Sequence, residues 1–199
     1  MRKSNPTRKK VLTDFRRAEI LAAAMVVFGK KGFDSTRMDD VAKQARIAKG
    51  TLYLYFRSKR DIYTTAVQHA SAQLQALTNE RTAQGPTLKE KLKEFIAVRI
   101  EFWGENRGLH RMLLSIGREA THHKQTLLMQ RASVDILLKI FTQAAESGEI
   151  IQQPFEPVAW ATLDLIRGAN ERRFLGVTKN APEAEVNILV TFVLKTLQQ

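Results

Sequence analysis

The stretch AKGTLYLYFRSK, residues 48–59, decides how the rest of the chain is read. Its centre, Thr51 to Phe56, is made of β-branched, aromatic and aliphatic residues of the kind that favour strands. The periodic segments on either side all read as helices, however, and a strand without a partner leaves its amides and carbonyls unpaired. The segment is therefore predicted to be a short helix over 48–56. At about 100° per residue, with Leu52 at the core, Phe56 falls beside it. Gly50 and Leu54 then point away, and Thr51 and Tyr53 occupy opposite flanks. The outward face is small, hydroxylic and aromatic with an exposed leucine, a costly surface to show water and a suitable one for a DNA groove.

Working outward, Thr36-Arg-Met-Asp39 is a T-x-x-D capping signal, with the Thr36 hydroxyl predicted to accept from a free first-turn amide. It opens a helix over 36–46 whose apolar face is Met38, Val41, Ala42 and Ala45. That helix, a tight connection and helix 48–56 make a helix-turn-helix, in which the second helix enters the major groove. Upstream, Ile20, Ala23, Ala24, Val27 and Phe28 recur at helical spacing from Thr13 until Gly32. Downstream, Ser58-Lys-Arg-Asp61 repeats the capping pattern and starts a helix running to about Thr82.

Residues 20–63, ILAAAMVVFGKKGFDSTRMDDVAKQARIAKGTLYLYFRSKRDIY, resemble the DNA-binding domain of the tetracycline-repressor (TetR) family of bacterial transcriptional regulators. The likeness is carried by the FGKKGF turn, the S-T-x-x-x-D-V-A start of the second helix, G-T-L-Y-x-x-F and the closing S-K. Two positions depart from the family pattern: Arg46 stands where glycine is usual in the inter-helix turn, and Ala48 where Ser or Thr usually caps the recognition helix. An arginine forced to positive φ and a missing cap both weaken the turn.

The resemblance implies a role for each matching position. Thr36 and Arg37, at a helix N-terminus, would hold a phosphate, an arrangement favoured by outward-pointing amides. Arg46 does not match the family pattern, and its phosphate contact is expected instead as compensation for the weakened turn; Lys49 would reach a phosphate or a guanine edge. Gly50 would permit close backbone approach, while Thr51 and Leu54 offer apolar contact to a thymine methyl. Tyr53 and Lys59 match the family's phosphate clamps. Leu52 and Phe56 remain core.

Charge supports a polyanion partner. The chain of 199 residues has a formal net charge of +12, and residues 1–60 hold 16 Lys+Arg against 5 Asp+Glu. Nearly all of the excess thus lies in the first third. Arg2, Lys3, Arg8, Lys9 and Lys10 form a basic arm, expected to be flexible without DNA and to follow phosphates or enter a minor groove with it. There are no cysteines, which excludes disulfides, thiolate metal sites and a Cys nucleophile. No apolar run reaches membrane-span length, so a cytoplasmic protein with no membrane partner is expected.

The remaining sequence reads as helices at about 87–105, 106–116, 123–146, 157–175 and 182–197, giving an all-α fold of about nine helices. Thr87-Leu-Lys-Glu90 caps the first of these. The expected organisation is a basic arm over 1–12, a helix-turn-helix domain over 13–60, and a helical effector-binding and dimerisation domain over 61–199. The last helix is apolar nearly all round, through Val186, Ile188, Leu189, Val190, Phe192, Val193, Leu194 and Leu197. Such a helix needs cover on more than one side. The resemblance implies a homodimer through the last two helices, bound to the half-sites of a palindromic operator about 34 Å or slightly more apart.

Arg99 stands on an apolar stripe with Phe95, Ile96, Phe102 and Trp103, where a charge must snorkel, pair or meet an anion. A small-molecule effector, implied by the resemblance, is placed near Arg99, Phe102, Trp103, Met112, Ile116 and Leu137. His122-His123 is rejected as a metal site, since neighbours do not share a helix face. No catalytic or nucleotide-binding fingerprint appears, and neither a cofactor nor a metal is expected. The reading is a ligand-responsive repressor. Its alternatives are a small helical enzyme with a basic rim and a DNA-packaging protein indifferent to sequence.

Overall fold

The structure, a computed structural model, describes residues 6–116 and 120–197, with side chains over 10–114 and 126–197. The described residues form helices without strands: α1 (Pro6–Lys31), α2 (Met38–Gln44), α3 (Lys49–Tyr55), α4 (Lys59–Ala83), α5 (Leu88–Glu105), α6 (Arg107–Ile116), α7 (Ala120–Glu146), α8 (Phe155–Phe174) and α9 (Pro182–Leu197). The fold is all-α, as the periodicity predicts. None of these helices is long and apolar enough to cross a membrane.

Capping signals in the sequence account for several boundaries. Thr87 accepts from the Glu90 amide at 3.3 Å, and the Thr87 amide donates back to the Glu90 carboxylate at 3.2 Å, a reciprocal box opening α5. The Asp61 amide donates to the Ser58 hydroxyl at 3.2 Å in the first turn of α4. Two expectations are corrected. α1 starts at Pro6 rather than Thr13, so residues 6–12 of the basic arm are helical. Proline is tolerated in a first helical turn, and nothing between it and Thr13 breaks the helix.

Thr36 does not cap α2. Its hydroxyl donates to the Gly32 carbonyl at 2.6 Å, and its side chain is 2% exposed. Arg37 is the N-cap residue instead, its amide donating to the Asp40 carboxylate at 2.9 Å. The acid three residues on can take that amide whichever residue stands at the cap, which is why the capping signal is displaced by one residue.

The chain divides into two compact units. The first holds the described residues up to Gln68 and those within Gly108–His123; the second holds His69–Arg107 and the described residues from Lys124. Ile20, Ala24, Phe28, Phe33, Val41, Leu52, Phe56 and Tyr63 are buried in the first unit. Phe33 there packs against Phe28 and Tyr63, with ring centroids at 5.4 and 5.7 Å. In the second unit one core joins Leu92, Phe95 and Ile96 of α5 to Val134, Leu137 and Phe141 of α7, Leu163 and Ile166 of α8, and Val186, Val190 and Val193 of α9. Burying side chains of this size removes each from water with a gain of about 1.5–3 kcal/mol, which is what holds these long helices together.

Candidate functional site

The site is built on α3, which seven residues alone would not keep helical in water. Leu52 and Phe56 are fully buried and fasten one face to the first unit. The C-terminal end is held by Arg17 of α1, whose Nη1 donates to the Tyr55 carbonyl at 2.7 Å while its guanidinium lies 4.4 Å from the centre of the Phe56 ring. A cation at a helix C-terminus satisfies a carbonyl that lacks an intrahelical donor. With α3 held in this way, Tyr53 is 46% and Leu54 83% exposed, Gly50 is exposed, and Thr51 and Tyr55 are half-buried.

The turn before α3 has the strain expected of it. Arg46 has φ 55°, the one positive value among the described non-glycine residues. The Ile47 amide donates to the Ala42 carbonyl at 3.0 Å and the Arg46 amide to the Lys43 carbonyl at 3.2 Å, the paired bonds of a helix end that normally closes on glycine. Ala48 is the N-cap of α3 and makes no side-chain cap bond. The first turn of α3 therefore presents its amides without an internal side-chain acceptor.

Gly50 has no conformational need for glycine, since its φ is not positive, and a Cβ built there would meet nothing within 4 Å. Glycine within a helix costs about 0.5–1 kcal/mol relative to alanine. The bare backbone at this position gives the free protein nothing.

The cations around α3 are held by internal partners. Lys49 Nζ lies 2.8 Å from Oδ1 of Asp39 on α2, and that carboxylate raises the lysine pKa above its usual range. Lys59 Nζ donates to the Phe33 and Asp34 carbonyls, both at 2.9 Å, and sits 4.6 Å from the centre of the Phe33 ring. One of its three N–H bonds remains for another acceptor. Arg37 and Arg46 are exposed. Thr36, buried with its hydroxyl engaged, is not presented to solvent and cannot take a phosphate in this conformation.

Sequence reasoning missed Arg17 and Asp39. Both act across long sequence separations, and no local spacing signals them. It also missed the Lys31–Asp40 pair at 2.6 Å, which lowers the Asp40 pKa, first through the lysine hydrogen bond and then through the Arg37 amide.

In the second unit, Arg99 of α5 is 2% exposed. Its Nη1 donates to the Phe95 carbonyl at 2.9 Å and to the Thr78 hydroxyl of α4 at 3.3 Å, and its Cζ lies 3.3 Å from the centre of the Phe95 ring. Nε and Nη2 are buried without a hydrogen-bond partner among the described residues. Burial pushes the guanidinium pKa down to about 9. Phe102 is buried and meets Trp103 edge-on at 5.2 Å, and Leu137 is fully buried in the core. Met112 is buried in the first unit, and the side chain of Ile116 lies outside the described residues, as do those of His122 and His123. Asp164 and Arg167 pair at 2.9 Å on the surface of α8.

Residues 20–66 match the family model described as bacterial regulatory proteins, tetR family, and this match spans the whole of the helix-turn-helix just described. The chain's DNA-binding domain belongs to the TetR family.

The chain is 29% identical over 140 residues to the fatty acid metabolism regulator protein of Bacillus subtilis, covering 66% of this chain and 69% of that protein. It is 42% identical over 50 residues to the biofilm operon icaADBC negative transcriptional regulator IcaR of Staphylococcus aureus, covering 25% and 27% of the two chains. The fold matches that of the fatty acid degradation regulator FadR from Bacillus halodurans with a TM-score of 0.84, at 18% identity over 100% of both chains. It matches FadR from Bacillus subtilis in complex with stearoyl-CoA with a TM-score of 0.80, at 23% identity over 88% and 96% of the chains. At those identities the structural likeness is one of fold. In the second unit, α9 buries Val186, Leu189, Val190 and Val193 but leaves Ile188 and Phe192, one helical turn apart, 56% and 57% exposed.

Proposed function

We propose that this protein is a dimeric repressor that binds a palindromic operator through α3 and releases it when a fatty-acyl amphiphile binds the second unit. The observation that carries the DNA-binding half is the orientation of α3, with Leu52 and Phe56 inside and Tyr53 and Leu54 outside. Gly50, Thr51 and Leu54 would meet base edges, and Arg37, Arg46, Lys49, Tyr53 and Lys59 would meet phosphates. Lys49 exchanges Asp39 for a phosphate, and Lys59 donates its third N–H bond while still closing the loop between α1 and α2. Ile188 and Phe192 on α9 would be covered by a second copy, which sets the spacing of the two α3 helices.

The effector class is supported by the fatty acid regulators among the relatives and by the buried cation in an apolar core. α4 supplies the route by which it acts. It is one unbroken helix from Lys59, which closes the α1–α2 loop, to Thr78, which holds Arg99. A ligand that favours a different setting of α4 shifts the population away from the DNA-competent state by its difference in affinity for the two.

Footprinting on the DNA flanking the gene is expected to give a protected palindrome, lost on addition of palmitoyl-CoA or palmitate. Phe192→Glu is expected to yield monomers with no footprint. Protection that random DNA removes as readily as the flanking sequence would favour packaging, and a footprint indifferent to both acyl compounds would refute the effector class.

A further inference from the structure

We infer that Arg99 is the receptor for a carboxylate, and that the effector enters the second unit as a free acid whose head group is held by the Nε and Nη2 edge of this guanidinium. The inference rests on the fatty-acyl reading above and narrows it to the chemistry of the head group. A guanidinium has a side-on edge, formed by Nε and Nη2, whose two parallel N–H bonds match the two oxygens of a carboxylate. In Arg99 the opposite nitrogen, Nη1, is the one fixed by the protein, through the Phe95 carbonyl and the Thr78 hydroxyl. The fork edge is the part left unpaired and buried among the described residues.

An arginine needed only as a structural strut would be expected to have that edge satisfied, because each buried donor without an acceptor destabilises the fold. No salt bridge among the described residues involves Arg99, although Arg81, in the same unit, is paired with both Glu94 and Glu101. Burial accordingly penalises the charged form of Arg99. An incoming carboxylate reverses that penalty by supplying the missing charge and both missing acceptors at once. The surroundings are apolar, with the Phe95 ring stacked on the guanidinium and Ile96, Val98 and Phe102 buried on the same helix. This is a place for one small anionic head followed by a hydrocarbon chain, and a poor one for the several phosphates of a coenzyme A group.

Arg99 is closed to solvent, so the acid reaches it only by parting packed side chains. Binding is therefore coupled to movement of the α4 and α5 residues that touch the guanidinium. An effector that bound without such movement would not bias the two states.

The test uses the full-length protein and palmitate below its micelle concentration, with palmitoyl-CoA in parallel. Three readouts are taken: the ligand-induced rise in melting temperature, release of operator DNA, and the titration of the bound carboxyl group of palmitate labelled with carbon-13 at C1. In the wild type, palmitate is expected to raise the melting temperature, release the operator, and keep its carboxylate ionised well below the usual carboxylate range. Arg99→Met is expected to melt no lower than the wild type without ligand, since replacing a buried unpaired charge by an apolar chain of similar length is neutral or stabilising. It should bind palmitate about ten- to a hundredfold more weakly, the loss of a charge-assisted pair of hydrogen bonds.

Arg99→Lys, which keeps the charge but loses the fork, decides the matter if the methionine variant does not fold. Palmitate binding weakened by tenfold or more supports the inference, and unchanged binding overturns it. Equal palmitate responses in wild type and Arg99→Met also overturn it. So does release by palmitoyl-CoA alone, which would leave the fatty-acyl reading standing. Failure of both compounds would overturn that reading and this inference together.

Discussion

Gly50→Ala separates folding from DNA binding at one atom. The added methyl meets nothing within 4 Å in the free protein, and the backbone there does not need glycine's left-handed region. Alanine should therefore stabilise α3 by about 0.5–1 kcal/mol, the usual difference between the two residues in a helix. For a chain of this size that corresponds to a rise in melting temperature of roughly 1–4 °C. On DNA the same methyl stands between the helix backbone and the groove it enters. Backing the helix off by a carbon radius loosens the neighbouring contacts of Thr51 and Leu54, and losing the recognition of one base pair costs about 1–3 kcal/mol. That loss corresponds to a fall in operator affinity of roughly five- to 150-fold. Thermal melting and fluorescence anisotropy on the footprinted operator measure the two effects in one preparation. A variant that melts higher yet binds operator as tightly as the wild type would refute close approach at Gly50, and one that melts lower would refute the open space around it.

Arg46→Gly relieves the positive φ of the turn and should stabilise the protein by about 0.5–1 kcal/mol in urea denaturation, after allowing for the extra freedom of glycine in the unfolded chain. A loss of stability would show that the arginine side chain outweighs the strain. Asp39→Asn frees Lys49 and removes a carboxylate beside the proposed phosphate contacts. Operator affinity should rise at low salt, and the slope of log affinity against log salt should steepen by at most about 0.9. Lys31 holds the Asp40 carboxyl below its ordinary value, so the ion pair contributes stability above the unfolded pKa, lost as pH falls through the lower folded value. Lys31→Met should raise the Asp40 titration midpoint toward the ordinary carboxylate range, as read by NMR of the side-chain carboxyl, and an unmoved midpoint would contradict the assignment to lysine.

The parts of the site that were legible in the sequence are those set by local geometry. The angular position of Leu52 against Tyr53 and Leu54 follows from helical pitch alone, and the structure buries and exposes those residues accordingly. The positive φ of Arg46 was legible as well, because the resemblance puts a glycine there. What was not legible depends on side chains meeting across the fold. Asp39 and Lys49 are ten residues apart and are joined only once α2 and α3 pack. Thr36 reads as a cap, yet its hydroxyl turns back to Gly32 and leaves the cap position to Arg37. Arg99 could be seen to sit on an apolar stripe, but which of its nitrogens would be satisfied depends on where α4 places Thr78.

The central claim is that the exposed side of α3 meets base pairs, and Leu54→Glu tests it most directly. Leu54 is 83% exposed, so a carboxylate there disturbs no core contact and should leave helicity, melting temperature and oligomeric state as they are. Placed against the groove it would meet the phosphate field and lose a methyl contact. Anisotropy titration on the footprinted operator should show affinity reduced a hundredfold or more, to the level of random DNA. Operator binding equal to that of the wild type, in a variant that remains folded, would contradict the account.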